Sequence, residues 1–150
     1  MTSQIIYKGN LRTEATHLQS NTIVETDAPT DNQGKGERFS PTDIVSTALG
    51  SCMLTIMGIK ARDMEIDLEG TTIGVTKLMA SNPRRISGVK LTFDFPEALM
   101  TDEKQQAILE NAARTCPVAK SIHPDIEVDI TFNWNMSQPA IEEAEKPGIN

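Results

Sequence analysis

The sequence predicts an α+β fold with a mainly antiparallel sheet, and three features carry that expectation. Ser40 to Arg62 has the pattern of one long, nearly uncharged helix. Short runs of alternating apolar and polar residues stand on both sides of it, bounded by turn signals. A second helical pattern and a final alternating run complete the order strands, helix, strands, helix, strand, with no internal repeat.

The elements follow in order. Gln4 to Tyr7, Leu11 to Leu18 and Thr22 to Asp27 read as short strands separated by Lys8-Gly9-Asn10 and Gln19-Ser20-Asn21, which suggests an antiparallel meander. Ala28 to Phe39 is a loop rich in Gly, Pro, Asp and Asn, long for a compact domain and therefore of functional or interface interest. In the helix that follows, Ser40 suits the N-cap, Pro41 the first helical position, and Asp43 the reciprocal side of a capping box. From Thr42 to Ile59 the only formal charge is Asp43, and apolar or small residues surround the axis instead of forming one stripe. Such a helix must be buried on nearly every side. Ser46, Thr47, Ser51, Thr55 and two glycines make it too polar for a membrane span, so it is expected in a core.

Met64 to Met79 alternates again, predicting strands on either side of Gly70. Ser81-Asn82-Pro83 turns the chain into a strand over Ile86 to Phe95, with Val89, Leu91, Phe93 and Phe95 on one face. Thr101 is placed as the cap of a second helix with Ile108, Leu109 and Ala112 on its apolar side, ended by Pro117 after Cys116. Ile126 to Trp134 is the last strand. Residues 1–135 are thus expected to form one domain, followed by an acidic, proline-punctuated tail over 136–150, disordered or docked on a partner. One sheet covers only one side of the first helix, so a homodimer with that helix near the interface is expected.

Composition narrows the function. The formal net charge of −7 argues against nucleic acid and anionic membranes. The first residues hold no sustained apolar run, so no signal peptide is read and a cytoplasmic location is expected. There, two cysteines are expected to be free, redox-active or metal-bound, not a permanent bridge. With few rings, the core is expected to be aliphatic and Met-rich.

Cys52 and Cys116 are the candidate reactive groups, although free cysteines are also common as small apolar core residues. Cys52 lies twelve positions beyond the Ser40 cap, roughly 18 Å along the axis. The helix dipole acts mainly within the first turn and does not reach it, so a thiolate there requires a nearby cation. Cys116 precedes Pro117, where a restarting helical turn aims free amides at its sulfur, so by itself it is the more easily ionised. Zinc would need His17 and His123 beside the cysteines, with poor spacing and no C-x-x-C knuckle, so no metal is expected. No G-x-S-x-G elbow or phosphate loop is present, and no cofactor is expected. The candidate cations are Arg12, Arg38, Arg84 and Arg85, of which Arg12 lies within a strand and, if turned inward, needs an anion.

Ser40-Pro41-Thr42-Asp43-Ile44-Val45, Ala48-Leu49-Gly50-Ser51-Cys52, Cys116-Pro117-Val118 and the strand Val128 to Phe132 together resemble the OsmC/Ohr family of osmotically inducible and organic hydroperoxide resistance proteins, on its OsmC-like branch. The resemblance covers roughly residues 4–135. It implies sheets wrapped around central cysteine helices in an intertwined homodimer. It also implies a peroxidase in which Cys52 becomes a sulfenic acid and Cys116 condenses with it to a disulfide. A small-molecule peroxide would then be the substrate, and an external dithiol such as a lipoylated protein the reductant. The family's activating arginine corresponds best to Arg12, with Arg38 as alternative. Its usual glutamate position is Thr42 here, leaving Asp43, or else Glu37, as the nearest carboxylate. That departure keeps open a second function, a binding or redox-sensing module for a small apolar ligand.

Overall fold

The structure, a computed structural model, describes residues 1–134. The expected tail, 136–150, lies outside the described residues. Strands β1 (Ser3–Gly9), β2 (Arg12–His17) and β3 (Ile23–Asp27) form an antiparallel meander. A single 3-10 turn at Thr30–Asn32 lies in the loop that leads to α1 (Pro41–Asp63). Strands β4 (Thr72–Ala80) and β5 (Arg85–Asp94) form an antiparallel hairpin. Helices α2 (Glu103–Arg114) and α3 (Pro117–Ser121) then carry the chain over to β6 (Glu127–Asn133), which pairs in parallel with β5. A parallel neighbour requires such a crossover. The result is two separate three-stranded sheets, β1-β2-β3 and β4-β5-β6.

The capping box of α1 forms as the sequence predicts: Asp43 N donates to Ser40 Oγ at 3.1 Å and Ser40 N donates to Asp43 Oδ2 at 2.9 Å. The helix packs on α2, α3, β4 and β5. Its buried residues, Ser46, Leu49, Gly50, Met53, Met57 and Ala61, recur at helical spacing and form one stripe. Gly50 permits the close approach, because a Cβ there would lie 3.2 Å from Leu91 and 3.3 Å from Val75. Leu91, Phe93, Phe95, Leu109 and Ala113 complete the core. Length and apolar composition alone would let α1 cross a membrane, but Leu49, Met53 and Met57 are fully buried against protein.

Four expectations change. One chain does not bury α1 all round, since Val45 and Ile59 remain exposed. Between Met64 and Met79 only one strand, β4, forms: residues 64–71 are turn and irregular backbone, with Glu65 and Gly70 at positive φ, and alternation alone did not register that break. The cap of α2 is Asp102, not Thr101, because Asp102 and Gln105 exchange side-chain bonds to each other's amides at 2.8 and 3.0 Å. The core is less purely aliphatic than composition suggests. Phe93 and Phe132 meet at 4.8 Å, while Trp134 stacks flat on Phe95 at 3.7 Å and donates to Glu110 Oε1 at 2.7 Å.

Candidate active site

The two cysteines come together from different elements. Cys52 projects from the middle of α1 and is partly exposed, while Cys116 is fully buried. Cys116 is the N-cap of α3: Pro117 occupies the first position, and the freed amide of Ala119 donates to Cys116 Sγ at 3.3 Å. The geometry anticipated from Pro117 is therefore present. Its electrostatic consequence is reversed. Burial pushes the Cys116 thiol up, and its hydrogen bond to Cys52 adds to that, against the downward pull of the Ala119 and Val118 amides. Cys116 is thus held as a neutral thiol next to Cys52, which corrects the expectation that it ionises readily.

Arg12 lies at the start of β2 and is committed to two carboxylates. Its Nε and Nη2 donate to Asp27 Oδ1 and Oδ2 at 2.7 and 2.8 Å, and Nη2 also donates to Glu37 Oε2 at 3.1 Å. Asp27 is 1% exposed and takes a third bond from the Glu37 amide at 3.2 Å. This bidentate bond to Arg12 holds the Asp27 carboxyl below its usual range despite burial. The same bond raises the Arg12 guanidinium above its already high value. The principal partner of Arg12 is therefore Asp27, which sequence reasoning missed. The signal was available in the hairpin: counting outward from the Gln19-Ser20 turn places Arg12 opposite Asp27, as the register shows.

Asp43 is not a partner of Arg12, a second correction. Its Oδ1 accepts from Lys77 Nζ of β4 at 2.8 Å, while its other oxygen serves the cap. Burial pushes the Asp43 carboxyl up, but Lys77 and the Ser40 amide and hydroxyl outweigh it and hold it below the usual carboxylate range. Lys77 also donates to Thr42 Oγ1 at 2.9 Å. Thr42, where the family resemblance places a glutamate, is thus hydrogen-bonded to a lysine. Of the remaining candidates, Arg38 pairs with Glu25 at 2.6 Å and Arg84 with Asp31 at 3.3 Å. His17 bonds Ser20, and among the described residues no three His, Cys, Asp or Glu side chains gather as a metal site would require.

Within one chain the site is therefore in two parts. The thiol pair lies in the core around α1, and the Arg12–Asp27–Glu37 network lies on the first sheet. The thiol pair can undergo two-electron oxidation to a disulfide, because a partly exposed sulfur adjoins a buried one.

Comparison with known proteins agrees with the fold. No curated protein matches the chain. A crystal structure from Psychrobacter arcticus 273-4, described as an osmotic stress induced and detoxification response protein, is 59% identical, with a TM-score of 0.85 over 89% of this chain and 96% of that one. An organic hydroperoxide resistance protein OsmC from Legionella pneumophila is 15% identical, with a TM-score of 0.69 over 89% of this chain and 98% of that one. The organic hydroperoxide resistance protein OhrB of Bacillus subtilis is 18% identical, with a TM-score of 0.57 over 89% of this chain and 98% of that one; at these identities the likeness is one of fold. The family model described as OsmC-like protein matches residues 34–131, a span that holds both cysteines, and the chain belongs to that family.

Proposed function

We propose that the protein is a thiol-dependent peroxidase of oxidative stress defence, acting on organic hydroperoxides or hydrogen peroxide. The observation that carries this reading is the pairing of a partly exposed Cys52 with a fully buried Cys116 held neutral beside it. In the cycle, the Cys52 thiolate attacks the outer peroxide oxygen. The O–O bond breaks, the alcohol leaves with a proton, and Cys52 becomes a sulfenic acid. The Cys116 sulfur then displaces hydroxide from Cys52, its proton leaves in the resulting water, and a Cys52–Cys116 disulfide forms. An external dithiol reopens the disulfide and is itself oxidised. Burial supports the division of roles, because a peroxide reaches Cys52 before Cys116.

Arg12 supplies the cation that Cys52 needs, and Asp27 with Glu37 holds it. In this reading Arg12 acts from a second subunit of a homodimer, since the elements that pack closely on α1 within one chain are α2, α3, β4 and β5. The exposed side of α1, with Val45 and Ile59, and the uncovered first sheet support a second copy of the chain there. The α1 stripe buried against protein supports a soluble protein, and the net charge of −7 supports one without a nucleic-acid or anionic-membrane partner. A second reading, a ligand-binding or redox-sensing module, is favoured by the carboxylates that already neutralise Arg12. Peroxide consumption by reduced protein with a dithiol separates the two. The first expects turnover lost in Cys52→Ser, and a trapped sulfenic acid in Cys116→Ser. Unchanged turnover in Cys52→Ser ends it.

A further inference from the structure

A cavity of about 430 Å³ opens beside the first turn of α1, between the start of β5 and the loop that leads into β6. Its volume lies in the range of roughly 300–1,000 Å³ usual for small-molecule sites, and neither cysteine lines it. The apolar surface comes from Ile86 and Ile126, both half-buried.

The polar groups around that surface are mainly donors. Arg85 gives one guanidinium N–H to the Pro83 carbonyl at 2.9 Å and makes no ion pair among the described residues. Its other donors are available to an anion. His123 accepts the Asp125 amide on Nδ1 at 3.0 Å, so the neutral ring carries its proton on Nε2, a second donor. Thr42 closes the lining, its hydroxyl held by the Lys77 ammonium at 2.9 Å. Asp125 is the one carboxylate in the lining; its Oδ2 lies 3.8 Å from His123 Nδ1, the nitrogen that does not donate in the neutral ring, and its side chain is 88% exposed, so its charge is partly screened by solvent. Arg85 thus sets a cationic group over an apolar floor in a chain of net charge −7.

We propose that this cavity binds a small apolar carboxylate, with its anionic end on Arg85 and His123 and its body on Ile86 and Ile126. The site is separate from the thiol pair and stands whether or not the peroxidase cycle does.

Calorimetric titration of the full-length reduced protein tests this, using octanoate, octanol and acetate as probes. Octanoate is expected to bind at one site per chain. Octanol lacks the charge and acetate lacks the body, so each is expected to bind at least about ten-fold more weakly. Arg85→Leu, at an exposed position, is expected to weaken octanoate about ten-fold and leave octanol unchanged. Octanoate should also raise the melting temperature of the wild type but not of Arg85→Leu, which reports folding of the variant as well. Cys52→Ser is expected to bind octanoate as the wild type does. Equal binding of octanol and octanoate, an unaffected Arg85→Leu, loss of binding in Cys52→Ser, or no octanoate binding at all would each overturn the proposal.

Discussion

The sheet β4-β5-β6 buries one face against α1, with Val89, Leu91 and Phe93 almost fully enclosed, whereas β1-β2-β3 leaves Ile5, Ile6, Tyr7, Ile23 and Val24 open to solvent. The two sheets have the same number of strands, so the difference lies in what covers them. By register, Ile5 and Tyr7 share a face of the first sheet with Ala15 and Val24, while Ile6 and Ile23 lie on the other. An isolated three-stranded sheet with no apolar cover is marginal in water, and contiguous exposed apolar residues mark an interaction surface. Within one chain the first sheet thus carries its stability in its ladder and in the part-buried Arg12–Asp27 pair, and its apolar residues stay exposed, as the proposed homodimer requires. The second sheet has its partner within the chain.

The largest test of that contrast is truncation on each side. Phe93→Ala in the second sheet should cost about 3–5 kcal/mol in urea unfolding. Ile5→Ala should cost under about 1 kcal/mol when the protein is dilute enough to be monomeric. Equal losses would remove the distinction. The next effect is on assembly: Ile5→Lys with Val24→Lys should raise the dimer dissociation constant about a hundred-fold, ~2.7 kcal/mol, in sedimentation at several concentrations.

A smaller effect is specific to the first sheet and depends on pH. The folded carboxyl of Asp27 titrates below its unfolded value, because Arg12 holds it ionised. Its contribution is therefore present above the unfolded pKa of about 3.9 and is lost as pH falls through the folded pKa. Asp27→Asn should unfold more easily in urea than the wild type at neutral pH, and the gap should close below about pH 4. A gap constant with pH would contradict the assignment. The smallest effect concerns the cap of α1. Ser40→Ala should lower stability by about 1 kcal/mol, measured by the same unfolding, because the Asp43 amide loses its acceptor.

Much of this was legible in the sequence because it is local. The α1 cap, the first meander and the strand β5 each depend on neighbours a few residues apart. What was not legible depends on distance in space. Asp27 became the partner of Arg12 through hairpin register, while Asp43 was drawn away by Lys77, 34 positions later in sequence. Cys116 was read from its helical turn, which was correct, but the burial that decides its protonation comes from the packing of α1, α2 and α3. The parallel pairing of β6 likewise follows from the crossover through α2 and α3, which no strand pattern encodes.

The proposed peroxidase chemistry requires Cys52 and Cys116 to act as a pair. The direct measurement is a titration of the reduced protein with cumene hydroperoxide, followed by intact mass and peptide mapping. One equivalent should remove two hydrogens per chain and yield a Cys52–Cys116 disulfide, by way of a sulfenic acid that accumulates on Cys52 in Cys116→Ser. An unchanged mass, or oxidation that begins on Cys116, would contradict it.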